Sequence, residues 1–218
     1  MRAVARGILG AILLASVAAT ALLLIERPPG PEKREEAFRQ WLEGDPDRAR
    51  AFAEFEKFLK REGVGDVVPA WQLTRVDMAR AAGCALGEFT IPPSDSWSEV
   101  VPTLELIDSV VIPAVGEVEV LSALRTPEAN QCAGGASRSK HLTFEALDLR
   151  ALSIENREAL FETLCETWRA TAPESRMGLG AYYDPSDPPY NRIGRFHIDA
   201  GGYRSWGRSY SSDTSPCR

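Results

Sequence analysis

Apolar residues along the chain change spacing from segment to segment, and each spacing predicts a different element. Ile8 to Ile25 carries no charge at all. Phe38, Trp41 and Leu42 then recur at i, i+3 and i+4, which predicts a helix over 33–43. Phe52, Phe55, Phe58 and Leu59 form one stripe of a second helix, which Asp45 or Asp47 can cap and Gly63 can end. The chain turns around Ile91-Pro-Pro-Ser-Asp, and Val101, Leu104, Ile107 and Val111 predict helix over 98–111. Leu160, Phe161, Leu164, Cys165 and Trp168 make the apolar face of a helix over 154–170, with Ser153 as its N-cap.

Strands are expected at 118–124, 145–152, 178–183 and 195–200. In the last of these Phe196, Ile198 and Ala200 share one face, while Arg195, His197 and Asp199 share the other. Three ionisable groups on one face put that face in water or in a site. Helices first, then short strands with one intervening helix, predict an α+β domain with no internal repeat.

Composition narrows the class without changing that picture. At 218 residues, 44% apolar and 26% charged, the chain is an ordinary globular one, which excludes collagen-like and wholly disordered readings. A net charge of −6 with no basic block argues against a nucleic-acid partner. Arg2 and Arg6 precede the apolar run 8–25, which as a helix reaches about 27 Å, just enough to cross a membrane. Ala19-Thr20-Ala21 offers a cleavage pattern, but the run continues past it, so residues 1–26 read as an uncleaved signal-anchor in preference to a cleaved signal peptide. Arg27-Pro-Pro-Gly-Pro-Glu begins a stiff linker, 27–34. Arg27, Lys33, Arg34 and Arg39 outnumber Arg2 and Arg6, so charge alone does not favour export. The four cysteines and the chemistry below do favour it, placing the domain on the extracytoplasmic, periplasmic side.

Only two histidines are present, His141 and His197. Asp148 alternates with Leu147 and Leu149, so it too points away from the core, and Gly134-Gly135 permits a tight loop ahead of His141. Two imidazoles and a carboxylate would make a three-ligand metal site with an open water position. The spacing H-x6-D is weak evidence by itself, and a surface histidine beside a surface aspartate is the commoner cause of it.

Taken together, the segments from Arg125 to Asp148 and from Arg195 to Trp206 resemble the zinc D-Ala-D-Ala carboxypeptidase family. That family also holds vancomycin-resistance D-Ala-D-Ala dipeptidases and L-alanyl-D-glutamate endolysins, and is distantly similar to the hedgehog signalling domain. Ser139, His141 and Asp148 match its S-x-H-x6-D motif, and His197 matches its last ligand. Arg125-Thr-Pro, Asn130, Gly134-Gly135 and Trp206 resemble one branch. The likeness covers roughly 98–208 and departs from the family twice. Phe144 stands where a glycine is frequent, and Gly194 stands where many members carry the catalytic glutamate.

The resemblance implies a zinc peptidase domain over 98–218, its small antiparallel sheet carrying the metal and a helical extension over 35–97 preceding it. Zn2+ would be held by His141, Asp148 and His197, and Arg125 would take the oxyanion or carboxylate. Asp199 is the nearest acidic candidate for general base, or else an orienter of His197. The implied substrate is the D-amino-acid-containing stem peptide of peptidoglycan, with residues 8–25 in the cytoplasmic membrane. Gly194 also leaves open a zinc-bearing but inactive peptidoglycan-binding module, and an accidental motif match would leave an envelope protein without metal. Disulfides are expected as Cys84–Cys132 and Cys165–Cys217, with Cys165 as a free core thiol the alternative.

Overall fold

The computed structural model describes residues 31–76, 87–171, 173–183 and 194–218. The apolar run 8–25, residues 27–30 of the linker and Cys84 lie outside them. No helix among the described residues is long and apolar enough to cross a membrane.

Helix α1 spans Pro31–Glu43 and α2 spans Pro46–Arg61. Of the two cap candidates Asp45 does the work, accepting from the backbone N–H groups of Asp47 (2.9 Å) and Arg48 (3.3 Å). Gly63 follows α2 at φ 78, the left-handed turn that a helix end favours. The stripe residues Phe38, Phe52, Phe55 and Leu59 are buried in the same core as the sheet. Phe38 packs edge-on to Phe52, and Phe55 lies 6.1 Å from the ring of Phe144. Both helices therefore share one hydrophobic core with the residues that follow.

Five strands form one sheet in the order β1-β2-β4-β3-β5: β1 (Val118–Ser122), β2 (Ala146–Ala151), β3 (Gly178–Ala181), β4 (Arg195–Asp199) and β5 (Arg204–Trp206). The first four pair antiparallel, but β3 and β5 run parallel, so the sheet is mixed and not wholly antiparallel as expected. β5 was not foreseen; three residues are too short to show alternation. Beyond β1 the edge is covered by the 3-10 turn Ala70–Thr74, whose Gln72 accepts from the Val120 N–H at 2.8 Å.

The expected single helix over 98–111 is instead a 3-10 turn (Ser94–Val100), then α3 (Val101–Leu106), a π-helical turn (Ile107–Val111) and α4 (Ile112–Val115). Pro102 and Pro113 break the regular ladder, since neither has an N–H to donate. The apolar stripe is nevertheless kept, with Leu104, Ile107 and Val111 fully buried. Two short turns of helix follow β1: α5 (Pro127–Cys132), capped by the Thr126 side chain, and the 3-10 turn Lys140–Thr143.

Helix α6 (Arg157–Thr171) buries Leu160, Phe161, Leu164, Cys165 and Trp168 as expected. Its cap is Asn156 and not Ser153: Asn156 Oδ1 accepts from the N–H groups of Glu158 and Ala159. Cys165 is bonded to Cys217, which pins the segment after β5 onto α6. Cys132 is also disulfide-bonded; Cys84, its expected partner, is outside the described residues.

A buried ion cluster ties α1 to the sheet. The Glu119 carboxylate on β1 is 1% exposed and receives Arg34 of α1 (2.6 Å), Arg75 (2.8 Å) and Arg150 of β2.

Candidate metal centre

Strand pairing brings the first two ligands together. Asp148 on β2 lies opposite His197 on β4, and the two-residue alternation turns both to the same face as Arg195 and Asp199. His141 arrives from the 3-10 turn, where the Ser139 hydroxyl accepts from its N–H and the Arg125 N–H binds its carbonyl at 2.9 Å. All three are buried, and each offers one ligand atom, the three atoms lying within 4.8 Å of one another.

Each imidazole is fixed from behind. His141 Nδ1 is 2.6 Å from the Ala123 carbonyl, and His197 Nε2 is 3.0 Å from Asp199 Oδ2. Both acceptors require a proton on those outer nitrogens, so each ring, once neutral, turns a lone pair inward. The two inner nitrogens, His141 Nε2 and His197 Nδ1, stand 3.1 Å apart, with Asp148 Oδ2 3.2 Å from the first and Oδ1 3.2 Å from the second. Two lone pairs and a carboxylate converging on one point call for a cation. The donor set, two nitrogens and one oxygen with hydrogen bonds behind the rings, fits a zinc-type ion.

Burial and charge set the protonation. Burial, aided by the Arg125 charge, lowers His141 to about 4. For His197 burial works against the charged form, but the bonds and charges of Asp148 and Asp199 outweigh it and raise the pKa. Asp148 is held well below the carboxylate range despite its burial, through Arg195, His141 and Arg125. Asp199 is pulled down to about 2, chiefly by His197 and Arg204 against the cost of burial.

Asp199, carried by the sequence as base or orienter, sits behind His197. Its Oδ2 takes His197 Nε2 and Arg204 (2.7 Å), and its Oδ1 accepts from the Gly201 N–H (2.7 Å). That is the orienter's geometry. Arg125 does not stand free in the cavity: it donates to Asp148 Oδ2 and, through Nε, to Ser122 (3.0 Å). Arg195 donates to the same Asp148 oxygen. Gly194 adopts φ 55, and a Cβ there would face Leu160 Cδ2 at 3.2 Å, so the position points at α6 and not at the ligands.

Residues that sequence reasoning passed over complete the site. On β3, Gly178 and Gly180 face the ligands. A Cβ at Gly178 would lie 2.6 Å from Asp199 Oδ2, and one at Gly180 would lie 2.8 Å from His197 Cβ. Their spacing of two was the available signal, but it means this only once the opposing residues are known. The ligands open into a cavity of about 750 Å3, which Tyr182, Arg195, Arg204 and Trp206 also line. Among the described residues Asp148 contributes the only carboxylate side chain to its wall.

Residues 101–181 match the family model described as Peptidase M15. No curated protein and no solved structure matches the chain. The match and the His-Asp-His cluster support a metallopeptidase.

Proposed function

We propose that the chain is a zinc metallopeptidase that hydrolyses D-amino-acid-containing peptide bonds of peptidoglycan stems, outside the cytoplasmic membrane and anchored there by residues 8–25. The observation that carries the reading is the buried His141–Asp148–His197 cluster, two of whose members fall in the matched segment 101–181. The same motifs that resemble the zinc D-Ala-D-Ala carboxypeptidases supply the substrate class.

A zinc ion held by these three residues would acidify its water and polarise the scissile carbonyl. The chain's own groups then have separate tasks. Ala123 and Asp199 hold the imidazoles in the tautomers that bind metal. Arg125 and Arg195 keep Asp148 ionised, and the Arg195 guanidinium lines the cavity in which negative charge develops. The net reaction adds water across a C–N bond, giving a carboxylic acid and an amine.

A second reading, an inactive zinc-bearing module that binds stem peptides, is favoured by the direction of Gly194 and by the commitment of Asp199 to His197. Purified muropeptides incubated with the zinc-loaded protein and analysed by mass decide between them. New products that vanish on chelation support the peptidase. Bound but uncut muropeptide supports the module.

A further inference from the structure

Strand β3 presents an alternating row to the site: Gly178, Gly180, then Tyr182 just past its end. The two glycines leave room for Asp199 and His197, so Tyr182 is the first residue of the row to carry a side chain into the cavity. The indole of Trp206, which pairs with Gly180 across β3 and β5, occupies the space that Gly180 vacates and donates its Nε1–H to the Tyr182 hydroxyl oxygen at 3.4 Å. An oxygen that accepts this bond must aim its own proton elsewhere, and that proton meets no acceptor among the described residues. Burial and the nearby Asp148 charge raise the phenol further above its ordinary range, so it stays a donor at every working pH.

We propose that the Tyr182 hydroxyl is a catalytic hydrogen-bond donor of this site, contacting the scissile carbonyl oxygen as it takes up negative charge. This rests on the peptidase reading. The hydroxyl is neutral, so it adds a directed bond without the desolvation cost of another charge, whereas Arg125 and Arg195 are already engaged with Asp148. No proton is transferred by Tyr182.

The test combines turnover with binding of a phosphinic analogue of the cleaved peptide, whose tetrahedral anion needs no chemistry to be recognised. Tyr182→Phe should lower kcat about 10²-fold with KM and zinc content unchanged, and should weaken the phosphinate Kd by a similar factor. Trp206→Phe, which keeps an aromatic ring but removes the donor that aims the hydroxyl, should lower kcat by about 3- to 10-fold. If Tyr182→Phe does not fold, this second variant decides. Wild-type kcat and phosphinate affinity, or a loss confined to KM or zinc content, would overturn the assignment. Should the wild-type chain cut no peptide, the peptidase reading fails by itself. Phosphinate affinity then judges Tyr182 alone, equal values in wild type and variant overturning it.

Discussion

His141 Nε2 and His197 Nδ1 face each other at 3.1 Å, each ring held from behind by an oxygen acceptor. With His141 lowered to about 4 and His197 raised, the pair at about pH 6 holds one proton beyond those of its two neutral rings, on His197. A metal must displace that proton. Zinc affinity should therefore rise about tenfold per pH unit from pH 5 through 6.5, levelling off above the raised His197 pKa. Near pH 6, calorimetry in buffers of different ionisation enthalpy should record about one proton released per zinc from this pair. Release of two, or a flat affinity over this range, would contradict the assigned protonation.

Asp199 should act through His197. Its carboxylate stays ionised across the working range because its pKa is held down to about 2. Asp199→Asn should weaken zinc about 10- to 100-fold, with turnover recovered at saturating metal. A general base would behave differently, losing about 10²–10⁴-fold in kcat with zinc still bound. Competition with a zinc chelator, paired with turnover at high zinc, separates the two.

The grouping of His141, Asp148 and His197 was legible through the family resemblance; alternation added that Phe196 and Ile198 face the core, which put His197 and Asp199 on one side together. The division of labour between them was not legible. It depends on ring nitrogens, and those are set by the pairing of Asp148 with His197 and by a carbonyl, Ala123, that has no side-chain signature. The meaning of Gly178 and Gly180 was hidden for the same reason, since a glycine's role lies in the neighbour that it admits. Helix positions were legible wherever Phe, Leu or Trp made a stripe. The cap at Asn156 was missed because Ser153, equally able to cap, stands three residues earlier. Nothing in the local pattern marked Glu119 as the meeting point of three arginines 31 to 85 residues distant, because long-range ion pairs have no period.

That cluster makes its own prediction. Among the described residues Glu119 is the only carboxylate paired with Arg34, Arg75 and Arg150, and Arg75 is 3% exposed. Glu119→Gln would leave buried guanidiniums without a counter-charge and should cost about 3–5 kcal/mol. Arg34→Gln should cost less, because Arg75 and Arg150 would still neutralise the carboxylate. Urea unfolding, read as a shift in midpoint at constant slope, checks both values and their order.

Phe144 departs from the glycine frequent in the resembled family, and its backbone shows why glycine suits that place. The residue sits at φ 63, in the left-handed region, immediately after the turn that carries His141. A side chain there costs about 1–2 kcal/mol in backbone strain. Its ring is fully buried against Phe55 of α2, and that burial offsets the strain. Truncation should therefore reverse the usual order of glycine and alanine. Phe144→Ala loses the ring and keeps the strain, for a cost of about 3–5 kcal/mol. Phe144→Gly loses the ring but relieves the backbone, so it should be the more stable of the two by about 1 kcal/mol. Denaturant midpoints of the two variants test this, and an alanine variant more stable than the glycine one would show that the left-handed turn is not retained.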